Sequence, residues 1–329
     1  MAATEGQGGF EVKMEVRASP RQGGEHVIFG LKKETVGWTS SLFFRKGEPM
    51  SKILITGANG QLGTELRHLL DEQGIEYSAF DSQSMDITDK ATVDARFNTE
   101  QPEIVFHCAA FTAVDPAEDE KKDLNWAVNE AGTKNVAEAA QQAGATLVYI
   151  STDYVFDGTN EGEYQVDAPT NPKNEYGKAK LAGEQLVEQI MDKYYIIRTS
   201  WVFGQYGKNF VYTMLRLAKD HDRLTVVADQ VGRPTWTRTL AEFMLYAVQH
   251  QIPFGLYQLS NDGSCSWYEF ASEILKDQPV EVAAVTSEEY PQKAYRPRHS
   301  IMSLDKVKAT GFTPISWQEA LQSFLKQVD

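Results

Sequence analysis

Tyr176 and Lys180 stand four residues apart in Tyr-Gly-Lys-Ala-Lys, at the start of a stretch with helical patterning. Positions i and i+4 share a helix face, so the Lys180 ammonium can sit beside the Tyr176 phenol. A phenol gives up its proton only near about pH 10, and a neighbouring cation lowers that value. The pair therefore suits protonation of a carbonyl oxygen as hydride reaches the carbon. Tyr-x-x-x-Lys alone is common; the neighbouring segments make it informative. Thr152, in Ser-Thr-Asp-Tyr-Val-Phe-Asp-Gly, follows an apolar run and offers a hydroxyl to the same substrate oxygen, with Asp153 and Tyr154 beside it. About 120 residues before Tyr176 lies a run with glycine at its first, fourth and seventh positions, Gly57, Gly60 and Gly63.

That run follows a short β-branched segment and opens a helical pattern, the place for a phosphate-binding turn. Gly57 suits the tight turn, and Gly60 lets backbone approach a pyrophosphate. Gly63 lets the helix pack close to the sheet with its N-terminus toward the anion. Asp81 ends the next strand, where an acid can hydrogen-bond a ribose 2′-hydroxyl, and Asp86-Ile87 is a further candidate for the adenine edge. Ser82, Gln83 and Ser84 supply no cation for a 2′-phosphate, so the local chemistry leans toward NADH over NADPH.

Such a site needs a sheet with its ligand edge on one side. Apolar runs at 52–56, 77–80, 104–107, 147–150 and 194–198 alternate with helical patterns at 62–70, 92–97, 135–142 and 176–191. This is the signature of a parallel sheet with crossover helices. The expected fold is α/β, a Rossmann-like doubly wound parallel sheet with a smaller C-terminal substrate-binding α/β region. Further helices are expected at 210–219, 240–249 and 267–275. The expected division is a leader or extension over 1–49, a dinucleotide-binding domain over 50–200 and a substrate-binding region over 201–329. That last region should return one or two elements to the first sheet.

The charge balance supports the seam at residue 49. The whole chain of 329 residues has 32 Lys plus Arg and 46 Asp plus Glu, net −14. Residues 1–49 hold 7 of the basic and 6 of the acidic side chains and 8 of the 24 Gly. The other 280 residues keep 25 basic and 40 acidic groups, net −15. Met50 then begins a segment that reads as a natural start, so residues 1–49 are expected to be an added or mis-started leader. The competing reading is a small β-rich appendage, from the alternation of Phe10, Val12, Met14 and Val16. No apolar run there has the length of a signal peptide core or a bilayer span.

An acidic chain is a poor partner for nucleic acid or an anionic membrane, and none is expected. Two cysteines, Cys108 and Cys265, cannot build a disulfide framework and point to a reducing, cytoplasmic setting. Both are expected to be packed thiols. The six histidines show no metal-ligand spacing, so no metal site is expected.

The segments 55–63, 107–115, 149–158 and 176–184, with 198–204, 209–219, 229–235, 266–269 and 296–298, carry a closer likeness. The chain resembles the extended short-chain dehydrogenase/reductases and, among them, the dTDP-4-dehydrorhamnose reductases, from residue 50 to 329 and not before. The resemblance implies NAD(P)H-dependent reduction of the 4-keto group of dTDP-4-dehydro-6-deoxy-L-mannose to dTDP-L-rhamnose. It implies a catalytic trio of Thr152, Tyr176 and Lys180. Cofactor contacts would come from Gly57, Asn59, Gly60, Gln61, Leu62, Asp81, Asp86, Ile87, Ala109, Ala110 and Thr112, with Tyr176 and Lys180. Substrate contacts would come from Thr112, Val114, Asp153, Tyr154, Trp201 and Asn209, with Arg296 on the diphosphate. Some members dimerise through magnesium held by carboxylates. Glu65 matches one of these, but Trp236-Thr237-Arg238 stands where another belongs, so a monomer or weak homodimer is expected.

Other readings share the fold. A 4,6-dehydratase places Asp-Glu after its catalytic Thr, whereas Thr152 is followed by Asp153-Tyr154. A nucleotide-sugar epimerase fits the first half but not the second-half motifs. A non-catalytic NAD(P)-binding subunit of the methionine adenosyltransferase type would show a decayed trio, and this trio is intact.

Overall fold

The computed structural model describes residues 52–328; the alternating positions Phe10, Val12, Met14 and Val16 lie outside them. β1 (Ile53–Thr56) is buried at every residue, as a strand covered by helices on both faces must be. α1 (Gln61–Glu72) follows at once and buries Leu62, Leu66, Leu69 and Leu70, one stripe of the helix, against the sheet. β2 (Tyr77–Phe80), α2 (Lys90–Glu100) and β3 (Ile104–His107) continue the alternation. A short α3 (Lys122–Trp126) passes through one π-helical turn into α4 (Thr133–Ala143). β4 (Thr146–Thr152), α5 (Glu175–Ile190) and β5 (Tyr194–Thr199) complete the regular part.

Beyond it the elements are shorter. They are β6 (Val202–Phe203), α6 (Phe210–Leu217), β7 (Arg223–Val227), β8 (Val231–Gly232) and β9 (Thr235–Trp236). Next come α7 (Thr237–Gln249), β10 (Gly255–Gln258), β11 (Cys265–Ser266) and α8 (Trp267–Ile274). β12 (Glu281–Val285), α9 (Asp305–Lys308) and α10 (Trp317–Val328) close the chain.

The main sheet is six-stranded and wholly parallel, in the order β2-β1-β3-β4-β5-β10. This is the expected Rossmann-like α/β fold. The strand order reverses between β1 and β3, so the crevice for a ligand opens beyond the carboxyl ends of those strands. One apolar layer joins the sheet to α1 and α7, and a second joins it to α2, α4 and α5. A separate core, built on Phe203, Phe270, Trp317 and Phe324, holds the second half, with β7 and β12 as a two-stranded parallel sheet. β10 and α7 thus come from the second half of the chain yet pack with the first sheet. Among the described residues, no helix is long and apolar enough to cross a membrane.

Candidate active site

The glycine turn forms as the spacing predicts, for steric reasons. Gly57 has φ +66°, and a Cβ there would stand 2.5 Å from the Ala109 backbone nitrogen. A Cβ on Gly63 would stand 2.2 Å from the Gly57 carbonyl oxygen, so α1 could not approach the turn with any larger residue. α1 starts at Gly60 without a side-chain cap, which leaves first-turn amides for an anion. These features fit a dinucleotide, and the residues that would hold one converge on a cleft of about 660 Å³. Of the expected cofactor residues, Asn59, Gly60, Gln61, Leu62, Ala109, Ala110, Thr112, Tyr176 and Lys180 line it.

Asp81 does not itself line the cleft but is bonded to Asn59, which does. Its Oδ1 accepts from the Gln83 and Ser84 amides and the Ser84 hydroxyl, and its Oδ2 accepts from Asn59 Nδ2 at 2.6 Å. The Ser84 bonds, with that from Gln83, hold its carboxyl below the ordinary range. Asp86 and Ile87 do not line the cleft. Asp86 caps its own turn through Thr88, and Ile87 is a core residue whose carbonyl accepts from Asn135.

The catalytic candidates meet at the carboxyl end of β4. Asn174 caps α5, its Oδ1 accepting from the Gly177 amide, and so aims the first turn of the helix at the cleft. Thr152 donates to Asp153 Oδ1 at 3.1 Å and accepts from the Tyr154 amide at 3.2 Å. Burial pushes the Tyr176 phenol above its ordinary value, while a hydrogen bond with Thr152 pulls it back. Lys180 follows one turn after Tyr176 on α5, and both line the cleft. Its ammonium stands 4.1 Å from the centre of the Tyr149 ring. Burial lowers it to about 7, against the opposing pull of Glu184. His107, bonded by Thr56 and Thr133, is lowered to about 3 by burial and by the Lys180 charge, so it is a neutral spacer. Burial raises Asp153 to about 6, with Ser300 and Thr152 bonds opposing.

Sequence reasoning did not single out Ser151, Thr199, Gly207 or Lys208, which also line the cleft. Gly207 and Lys208 arrive from the loop before α6, and only the fold brings that loop to Gln61. Asn209 caps α6, bonds the Gly204 carbonyl and reaches Gln61 Oε1 at 3.5 Å. Trp201 holds a left-handed backbone (φ +48°) and stacks on Trp267 with centroids 3.6 Å apart. A non-glycine residue there marks stored strain, the kind concentrated at ligand sites. Tyr154 meets Tyr176 edge-on at 5.8 Å. Of the expected substrate residues, Thr112 lines the cleft, while Val114, Asp153, Tyr154, Trp201, Asn209 and Arg296 are not part of its lining. Arg296 is engaged in this structure, since Asp115 takes its guanidinium in a fork at 2.8 and 3.1 Å. Cys265 is buried, and Cys108, on the cleft wall, is pushed up to about 12 by burial, which leaves it a poor nucleophile.

On the outer side of α1, Arg238 donates to Glu72 at 2.6 Å and Glu242 at 2.9 Å and lies 3.8 Å from Glu65. Among the described residues, no group of three or more His, Cys, Asp or Glu is arranged to hold a metal.

The fold, the turn and the Thr-Tyr-Lys cluster define an oxidoreductase of the short-chain dehydrogenase/reductase class. Within it, the chain belongs to the RmlD substrate binding domain family, which matches residues 51–329. It is 44% identical over 280 residues to the spore coat polysaccharide biosynthesis protein SpsK of Bacillus subtilis (strain 168), covering 84% of this chain and 98% of that protein. It is 41% identical over 282 residues to the dTDP-4-dehydrorhamnose reductase of Streptomyces griseus, with 83% and 92% covered. The crystal structure of dTDP-4-dehydrorhamnose reductase from Bacillus anthracis str. Ames, in complex with NADP, superposes with a TM-score of 0.81 at 43% identity, covering 84% of this chain and 99% of that one.

Proposed function

We propose that this protein reduces the 4-keto group of dTDP-4-dehydro-6-deoxy-L-mannose to give dTDP-L-rhamnose, using NADPH or NADH, as the closing step in making that sugar nucleotide for cell-wall polysaccharide. The observation that carries this reading is the meeting of Thr152 and Tyr176 in the same cleft as the uncapped start of α1. The bound reduced nicotinamide supplies the hydride. The chain supplies the rest. Tyr176 holds the proton destined for the sugar O4, and the Thr152 hydroxyl bonds the same oxygen, stabilising its developing charge. Lys180, on the same helix face, offers positive charge to the phenolate left behind. Thr112, Val114, Asp153, Tyr154, Trp201 and Asn209 lie on the sugar side in this reading, and Arg296 exchanges Asp115 for the diphosphate.

The same reading assigns 50–200 to cofactor binding and 201–329 to substrate binding, and leaves 1–49 outside the chemistry. Arg238 among three glutamates supplies the positive charge that a bridging metal would bring elsewhere, which supports a monomer or weak homodimer. Free thiols support a cytoplasmic setting, and the net charge argues against nucleic acid or a membrane as partner.

The test is direct. Protein, reduced cofactor and the 4-keto sugar nucleotide are mixed, and the nicotinamide absorbance is followed. Absorbance loss that scales with enzyme, with a dTDP-6-deoxyhexose as product, is expected. No oxidation of either NADPH or NADH would overturn the proposal. Arg296→Gln is further expected to weaken dTDP binding by about tenfold or more, by calorimetry, because a forked charge-assisted pair is lost. NADPH binding should stay as in the wild type.

A further inference from the structure

Asp81, bonded to the cleft-lining Asn59, is not isolated from positive charge. Its Oδ1 is filled by three donors from the Gln83 and Ser84 positions. Oδ2 is therefore the face left for a ribose, and its one protein donor is Asn59. The amide oxygen of the same Asn59 accepts from Arg67 Nη1 at 3.2 Å. Arg67 reaches back from the second turn of α1, where Nη1 also donates to the Ala58 carbonyl at 3.3 Å. Unlike Arg198, Arg233, Arg238 and Arg296, it forms no salt bridge among the described residues. Its Nε is buried and has no hydrogen-bond partner. Arg67 also interacts with the Tyr77 side chain, so its partners are a carbonyl, an amide oxygen and a phenol, and its charge has no carboxylate partner among the described residues.

We propose that Arg67 is the specificity-determining residue for a 2′-phosphorylated adenosine, with Asn59 as the pivot between it and Asp81. This inference rests on the dinucleotide reading of the cleft and extends it. With an unphosphorylated ribose, Asp81 Oδ2 accepts the 2′-hydroxyl directly. With a 2′-phosphate, Asn59 turns aside and the guanidinium meets the dianion, offsetting its repulsion from Asp81. The site thereby accepts both kinds of dinucleotide, although the segment after β2 carries no cation before Lys90. Arg96 is the other cation near this loop. Its Nε donates to the Ser84 carbonyl and its guanidinium lies over the Phe80 ring at 5.0 Å. Both contacts tie it to the loop and strand end, and it bonds neither Asn59 nor the Asp81 carboxylate.

Calorimetry with 2′,5′-ADP and with ADP on the full chain tests this without turnover. The wild type should bind 2′,5′-ADP at least as tightly as ADP. Arg67→Gln should lose tenfold or more in 2′,5′-ADP affinity and less than threefold in ADP affinity. Asp81→Asn, which leaves the α1 side intact, should shift the ratio tenfold toward 2′,5′-ADP. Equal losses for both nucleotides in Arg67→Gln, or loss of the 2′-phosphate preference in Arg96→Gln instead, would overturn the assignment. If neither nucleotide binds the wild type, the dinucleotide reading falls with it; if both bind and the variants do not discriminate, only the role of Arg67 falls.

Discussion

Tyr176→Phe is expected to lower the turnover rate by about 10²- to 10⁴-fold, the range over which a positioned general acid contributes. Cofactor affinity should change little, because the ring stays and only the hydroxyl is lost. The phenol lines the cleft beside Thr152, the hydroxyl proposed to bond the same substrate oxygen. Burial keeps it protonated at neutral pH, so the donor form is fully populated before substrate arrives. The Thr152 hydrogen bond opposes that shift, and substrate binding brings a second partner for the proton. Single-turnover measurement of nicotinamide oxidation, paired with titration of NADPH by protein fluorescence, separates chemistry from binding. A variant that keeps its rate within threefold would remove Tyr176 as the acid. A variant that loses cofactor affinity in the same proportion would make the hydroxyl a binding group instead.

The sequence already held the parts of the site that depend on local order. Gly57, Gly60 and Gly63 are read from one turn, Tyr176 and Lys180 from one helix face, and the parallel sheet from alternating runs. Short-range sterics dictate these, and the five early strands form within a residue or two of where the apolar runs lie. What could not be read was the direction of long side chains. The i, i+4 spacing puts Lys180 on the helix face of Tyr176, but it could not show that the ammonium also lies over the Tyr149 ring, which comes from β4. The pairing of Arg296 with Asp115 joins residues 181 positions apart, and no periodicity encodes it. The same holds for Arg67. Its reach to Asn59 depends on how closely α1 approaches β1, a distance set by Gly63 and not by any motif around Arg67. The two-residue strands β6, β8, β9 and β11 were silent because so few residues cannot show a period. β10 failed for another reason: it opens on Gly255 and ends on Gln258, leaving Leu256 and Tyr257 as its whole apolar run.

Glu184→Ala is expected to destabilise the fold by about 3–5 kcal/mol, the usual result of stripping one partner from a buried ion pair. Glu184 and Arg198 are joined by a fork at 2.7 and 2.9 Å, with side-chain exposures of only 3% and 5%. The fork links α5 to β5, and Arg198 is further held against the Phe156 ring and the Val166 carbonyl. Removing the carboxylate leaves a guanidinium with no water to solvate it. Urea unfolding should show the loss, and Glu184→Leu combined with Arg198→Met should recover much of it, since the pair is costly to bury in the first place. A recovery of nothing would mean that the fork is needed for more than charge balance. One turn earlier on the same helix, Lys180 depends on this carboxylate, the one group opposing its desolvation. In the folded wild type Lys180 releases its proton near pH 7, and in the unfolded chain it does so at its ordinary value of 10.5. Below about pH 7 both states hold the proton, so the folded state bears the full cost of a buried ammonium. As pH rises from there the folded state sheds the proton first and stability increases, until the unfolded chain has shed it too. Without Glu184 the folded value falls further, so the increase must begin at lower pH. Unfolding midpoints across that range for Glu184→Gln should trace the shift, and Lys180→Met should abolish this part of the pH dependence. On the proposed mechanism the basic limb of the pH–rate profile should move in the same direction, because there the charge that Lys180 offers the phenolate disappears with its proton.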